Sequence, residues 1–193
     1  MQILRFADLP EMAWKNGGGT TVEYAVCPEG AGLDDFSWRI SRAKVERHGP
    51  FSAFPGIDRT LAVVSGAGID LAVAHRLVRL DRDTPPFGFA ADEPIEARLI
   101  RGPIEDLNVM SRRGFWRHTL IRHRLAETRP LAVTADVTLI VALGAVAIDA
   151  FDEDARSLGD GDAAIVDGPA TLRLTPGTAG AAVLVAELHH RMG

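Results

Sequence analysis

Between residues 60 and 193 the sequence carries one pattern twice, and this repeat is the strongest limit on what the chain can fold into. Thr60-Leu61-Ala62-Val63-Val64-Ser65-Gly66-Ala67-Gly68-Ile69-Asp70 is matched by Thr138-Leu139-Ile140-Val141-Ala142-Leu143-Gly144-Ala145-Val146-Ala147-Ile148-Asp149. Leu80-Asp81-Arg82-Asp83 is then matched by Leu158-Gly159-Asp160-Gly161-Asp162, and Asp92 to Leu99 by Asp167 to Leu174. The offset stays at roughly 75 to 79 residues throughout. Each copy reads as a strand, a glycine turn and a returning strand, so two β units of similar length are expected, as small barrels or jelly rolls packed together. The 19 glycines and 11 prolines, spread between short Val/Ile/Leu runs, agree with an all-β chain holding few short helices. Helical signal is confined to residues 127–135 and 187–192, too short for an α/β fold. The expectation is one compact unit over residues 1–193, with repeat halves at about 1–118 and 119–193.

Composition removes several classes of function. The net charge of -5, with arginines interspersed among acids, is not the footprint of a nucleic-acid binder. The lone Cys27 cannot form an internal disulfide, the amino terminus lacks a basic-then-apolar signal, and no apolar run approaches membrane-spanning length. A soluble, cytoplasmic protein with no membrane partner is expected.

Three stretches hold the residue types that do chemistry. In Trp14-Lys15-Asn16-Gly17-Gly18-Gly19-Thr20-Thr21 the flanking Trp, Asn and β-branched residues indicate an ordered loop, and no Gly-Lys-Ser/Thr ending makes it a phosphate loop. From Phe36 to Ser41, Phe36, Trp38 and Ile40 alternate with Ser37, Arg39 and Ser41, an apolar face backed by a polar one. Tight turns at Gly49-Pro50 and Pro55-Gly56 then lead to Asp58-Arg59 and the next strand. In the third stretch, Asp106, Asn108 and Met110 share one strand face while Leu107 and Val109 take the other. Arg39 and Arg59 offer rigid forks of donors that match a carboxylate, and Ser41, Asn16 and Asn108 add short polar contacts. Asp106 reads either as an arginine's structural partner or as a general base.

Paired β units with such Gly-Asp turns resemble the cupin superfamily, many of whose members hold a metal through a His-x-His pair and a glutamate. No such pair occurs here: His48, His75, His118 and His123 stand apart, and adjacent His189 and His190 in a strand would face opposite ways. Neither a metal nor another cofactor is therefore expected. Cys27 has no local base, and no serine sits in a Gly-x-Ser-x-Gly elbow.

The ordered motifs Trp14-Lys15-Asn16-Gly17-Gly18-Gly19-Thr20, Trp38-Arg39-Ile40-Ser41 with Ala43, Gly49-Pro50-Phe51-Ser52 with Phe54-Pro55-Gly56 and Arg59, and Gly102-Pro103 with Asp106-Leu107-Asn108-Val109-Met110 and Arg113 resemble the HutD/Ves family. The match is specific over the first 113 residues and general beyond them. The family usually has Phe and Leu where this chain has Leu107 and Val109, both on the aliphatic face. The resemblance implies a bicupin fold without the usual metal ligands and a regulatory or sensing role in bacterial histidine utilisation, with urocanate or N-formylglutamate as candidate ligands. Carried over by motif, the ligand-binding set is Trp14, Asn16, Arg39, Ser41, Arg59, Asp106, Asn108 and Met110, while Trp38 goes with the core. The leading expectation is a non-enzymatic binder of a small carboxylate metabolite. Its alternatives are a metal-independent isomerase or hydrolase acting on such a metabolite, and a protein-interaction module. Barrels can pair through exposed sheets, so a homodimer is a candidate assembly under each.

Overall fold

The computed structural model describes residues 1–74, 76–151 and 154–191. In chain order the strands are β1 (Gln2–Leu4), β2 (Glu11–Ala13), β3 (Gly19–Cys27), β4 (Trp38–Val45), β5 (Gly49–Phe51), β6 (Ile57–Ser65), β7 (Ile69–Val73), β8 (Arg76–Leu80), β9 (Phe87–Ala90) and β10 (Ile95–Leu99). They continue as β11 (Ile104–Arg112), β12 (Trp116–Leu125), β13 (Arg129–Val133), β14 (Val137–Leu143), β15 (Val146–Ala150), β16 (Arg156–Leu158), β17 (Ala163–Asp167), β18 (Ala170–Pro176) and β19 (Ala181–His190). Among the described residues the one helical element is a 3-10 turn at Phe6–Asp8. The all-β class expected from the short apolar runs is what the chain adopts, and the two stretches with weak helical signal fall on β13 and β19. Met192 and His75 lie outside the described residues.

Two compact units emerge, one from residues 10–117 with Arg191, the other from residues 1–9 with 118–190. The first unit has a six-stranded sheet ordered β2-β3-β4-β11-β6-β9 and a four-stranded sheet ordered β5-β10-β7-β8. The second has a five-stranded sheet ordered β1-β17-β14-β19-β12 and a four-stranded sheet ordered β13-β18-β15-β16. The run β4-β11-β6-β9 thus corresponds to β12-β19-β14-β17, and β5-β10-β7-β8 to β13-β18-β15-β16. The repeat in the sequence is this shared topology. Residue by residue, however, identity misaligns the first strand of each copy. Leu61 and Val63 belong to the core cluster of the first unit, but in β14 the residues in the corresponding cluster are Ile140 and Ala142, not Leu139 and Val141. A slip of one residue exchanges the faces of a strand, so matching Thr60 with Thr138 pairs inward positions with outward ones.

The first nine residues depart from the halves suggested by the repeat. β1 pairs antiparallel with β17, Gln2 opposite Ile165 and Leu4 opposite Ala163. Asp162, in the Gly-Asp turn, accepts from Arg5 Nη1 at 2.7 Å and from the Phe6 backbone N–H at 3.0 Å. A carboxylate shaping its own turn, through the Gly159 N–H at 2.9 Å, also ties the amino-terminal segment to the second unit.

The Gly17-Gly18-Gly19 loop is ordered for steric reasons. Gly17 has φ of 66°, in the region that favours glycine. Gly19 opposes Val45 across the β3–β4 ladder, and a Cβ there would overlap the Lys44 carbonyl oxygen. Trp14 braces the loop from its other side: its backbone N–H donates to the Gly19 carbonyl at 2.9 Å and its Nε1 to Thr21 Oγ1 at 2.7 Å. Gly19→Ala is expected to cost about 1–3 kcal/mol, the range of forced overpacking. Gly17→Ala, where a Cβ meets nothing within 4 Å, should cost about 1 kcal/mol through its backbone angle alone. Urea midpoints for the two variants check this, and equal losses would show that the close approach at Gly19 is not what orders the loop.

Candidate functional site

Strand parity builds the site. In the first unit, Val45 of β4, Leu61 and Val63 of β6 and Ile104 of β11 cluster with Phe51, Ile69, Leu71, Ile95, Ala97 and Leu99 of the facing sheet. Residues two apart share a face, so the same inward face carries Arg39 and Ser41 on β4 and Asp106, Asn108 and Met110 on β11, with Arg59 on β6. The ladders set these in rows: Met110 lies between Arg39 and Arg59, Asn108 between Ser41 and Leu61, and Asp106 between Ala43 and Val63. A barrel interior made of aliphatic side chains at one level therefore becomes strongly polar at the next. All six of these functional candidates are buried.

The polar residues are wired to one another. Arg59 directs Nε (2.8 Å) and Nη2 (2.5 Å) onto Asn108 Oδ1. Asn108 Nδ2 in turn donates to Asp106 Oδ1. The amide orientation follows from its partners, since a flipped Asn108 would set its N–H donors against a guanidinium and its oxygen against a carboxylate. Arg39 Nε donates to Glu23 Oε2 at 2.5 Å, and Arg39 Nη1 lies 3.5 Å from Ser41 Oγ. The Arg59 guanidinium carbon sits 4.8 Å from the centre of the Phe51 ring and 5.7 Å from that of Phe89, so aromatic faces help hold the buried cation. Each arginine keeps one terminal nitrogen, Nη2 of Arg39 and Nη1 of Arg59, with no acceptor among the described residues.

Burial governs the ionisation of this group. Desolvation lowers the Arg59 pKa to about 10, with neighbouring Arg39 adding to the fall and Asp106 opposing it. Arg59 remains cationic at neutral pH. Desolvation raises Asp106 to about 6, against the pull of Arg59 and the Asn108 hydrogen bond, with Glu105 adding to the rise. Asp106 Oδ2 is buried and has no hydrogen-bond partner among the described residues.

Six of the eight sequence-nominated residues thus converge inside one barrel. Trp14 and Asn16 are elsewhere. Trp14 is half-buried against the edge of the same apolar cluster, and exposed Asn16 spends its Oδ1 on the Gly18 N–H at 2.9 Å. Glu23, Phe51 and Phe89 complete the site without having been nominated. Glu23 carried a signal, an acid inside the β-branched run Thr20–Val26, and β3 has its register shift between Glu23 and Ala25. One sequence reading needs correction: Phe36 precedes the strand and packs with Met110 and Ile57, while Arg39 and Ser41 are as buried as Trp38 and Ile40 on the opposite face. Among the described histidines, His48 comes near this barrel's interior with its Nδ1 accepting the Leu99 N–H at 2.9 Å. The metal that cupins often hold does not suit this interior. Two guanidiniums point into it, and no group of three His, Cys, Asp or Glu that could hold an ion occurs among the described residues.

The raised Asp106 pKa fixes the sign of its effect on stability. Between the unfolded value of about 4 and the folded value of about 6 the folded chain keeps a proton that the unfolded chain releases, so stability falls as pH rises through this window. Asp106→Asn cannot titrate there. Relative to wild type it should gain on the order of 2–3 kcal/mol between pH 4 and pH 7, read from urea midpoints. Parallel pH profiles for the two proteins would contradict the assignment.

Comparison with known proteins agrees with the fold. The HutD family's sequence model matches residues 6–184. An uncharacterised 21.2 kDa protein in the hutC 3' region of Pseudomonas putida is 39% identical over 110 residues, 57% of each chain. Protein Ves of Citrobacter koseri is 33% identical over 114 residues, 58% of this chain and 59% of its own. The chain thus matches somewhat over half the length of these curated relatives. Among solved structures, a conserved protein of unknown function from Pseudomonas aeruginosa PAO1 has a TM-score of 0.88 at 33% identity, covering 97% of this chain and 98% of that one. HutD from Pseudomonas fluorescens SBW25 has a TM-score of 0.82 at 32% identity and covers 99% of both chains. A cupin 2 conserved barrel protein from Leptotrichia buccalis, 10% identical with a TM-score of 0.61, covers 96% of this chain and 95% of its own and shares the fold alone. With its paired β units in the cupin fold and a family match running nearly end to end, this chain belongs to the HutD family.

Proposed function

We propose that the first barrel binds a small carboxylate metabolite without transforming it, and that the protein serves as a sensor or regulator in histidine utilisation, with urocanate or N-formylglutamate as ligand. The observation that carries this reading is the pair of buried guanidiniums, Arg39 and Arg59, that flank Met110 across three strands and each keep a terminal nitrogen unmet. Two forks of donors in a desolvated place recognise a carboxylate by charge-assisted hydrogen bonds. Glu23 and Asn108 hold the forks in place, and Ser41 and Met110 are placed to shape the floor between them. The family's link to histidine utilisation supplies candidate acids, and the Pseudomonas fluorescens HutD structure was obtained in a formate condition, formate being the smallest carboxylate.

A second reading rests on Asp106, whose raised pKa near 6 suits a general base in an isomerase or hydrolase. Its free oxygen is enclosed, with no face open to a substrate, which favours the binding reading.

Calorimetric titration of the purified protein with urocanate, N-formylglutamate and formate should show saturable heat for at least one acid and no product by chromatography. Arg39→Ala should weaken that binding by about 10- to 100-fold, the value of a charge-assisted hydrogen bond, while leaving the fold intact. Unchanged affinity in a folded Arg39→Ala protein would refute the anchor. Turnover abolished by Asp106→Asn would establish the enzyme in place of the sensor.

A further inference from the structure

The ionisable groups inside the first barrel leave an imbalance once a ligand enters. Arg39 is neutralised by Glu23 at 2.5 Å. Among the described residues Arg59 has no carboxylate in direct contact and reaches Asp106 through the Asn108 amide. These four side chains together are therefore neutral when Asp106 is ionised and carry one positive charge when Asp106 is protonated. A carboxylate seated on the unmet nitrogens of Arg39 and Arg59 adds a negative charge in a desolvated space. It also draws on the same Arg59 cation that holds Asp106 in its ionised form.

The groups facing Asp106 leave few other sinks for that charge. Arg59 comes from β6, Asn108 and Glu105 from its own strand, Arg39 from β4 and Glu23 from β3. The facing sheet presents Leu71, Ala97 and Leu99 to the interior, with His48 nearby and its Nδ1 engaged by the Leu99 N–H. Asp106 is already raised to about 6 by burial, and its Oδ2 has no donor to lose. A further negative charge nearby moves such a carboxyl toward its neutral form.

We propose that the first barrel takes in one carboxylate together with one proton, which Asp106 holds on Oδ2 while Oδ1 keeps the Asn108 hydrogen bond. This rests on the anion-binding reading above and narrows the ligand class further: the interior accommodates a single negative charge as the electrical equivalent of a neutral acid, which favours the monoanion urocanate over the dianion N-formylglutamate. The proton comes from solvent, and no bond in the ligand is made or broken. Arg59 stays charged over the relevant range, so the coupling belongs to Asp106.

The test is titration of the full chain with sodium formate and sodium propionate from pH 5.5 to 8.5, in pairs of buffers with different ionisation enthalpies. Both probes are fully ionised for most of this range, so any proton taken up belongs to the protein. Uptake of about half to one proton per anion near pH 7 is expected, with the dissociation constant rising by about three- to ten-fold per pH unit above 6. Asp106→Asn should bind with no proton uptake and a flat pH profile, which separates Asp106 from His48. If that variant fails to fold, the proton count on wild type still decides. Binding without proton uptake overturns the coupling and leaves the anion site standing, as does an unchanged slope in Asp106→Asn. Absence of binding by either probe at every pH overturns the anion site and the coupling together.

Discussion

The Asn108 amide is what allows this chain to keep a guanidinium and a carboxyl inside one barrel. An arginine buried alone carries a desolvation penalty of several kcal/mol, and a direct ion pair with Asp106 would recover only part of it. Asn108 instead meets Arg59 with its oxygen and Asp106 with its nitrogen, so a neutral side chain satisfies both neighbours and sets their separation. Rigid spacing leaves each arginine with donors to spare, because neither guanidinium collapses fully onto an acid. The aromatic rings of Phe51 and Phe89 hold Arg59 without using its N–H groups, which has the same effect.

The two units use one topology for different ends. Where the first has Asn108 opposite Leu61 and Asp106 opposite Val63, the second has Val185 opposite Ile140 and Val183 opposite Ala142. Arg59 corresponds by the same pairing to Thr138, and Met110 to Glu187. The core cluster of the second unit is made of Leu, Ile, Val and Ala, with the buried Thr138 hydroxyl standing where the first unit has a guanidinium. One copy of the duplicated pattern serves as packing and the other as a polar chamber. This difference, more than the fold, is what locates function in the molecule.

Much of this was legible in the sequence. Period-two alternation placed Asp106, Asn108 and Met110 on one face and Arg39 with Ser41 on another, and parity alone brought them into one barrel. Alternation could not reveal that a polar face is an inner face. Arg39 and Ser41 could be nominated for a ligand but not placed inside a barrel, because a lone strand gives no sign of what covers it, and only the closing sheet of β5, β10, β7 and β8 does so. Asn16 was misleading in the opposite sense: an asparagine beside three glycines satisfies its own turn, a local bond that sequence spacing cannot distinguish from a ligand contact. Glu23 showed as an acid in an apolar strand, but the register shift that turns β3 at that point hid its direction, and Phe89 was hidden by a partnership with Arg59 across β6 and β9.

The placement of β1 affects how the chain is made. Gln2 has its partner at Ile165, so β1 stays unpaired until every strand of the first unit has been synthesised. Loop closure over such a span is slow relative to hairpin formation, and an exposed edge invites wrong partners meanwhile. Arg5 and the 3-10 turn that follows are polar company for that waiting strand, and the strand itself is only three residues long. A strand this short, followed by Arg5 and Asp8, offers little edge to a wrong partner before the Asp162 turn arrives to receive it.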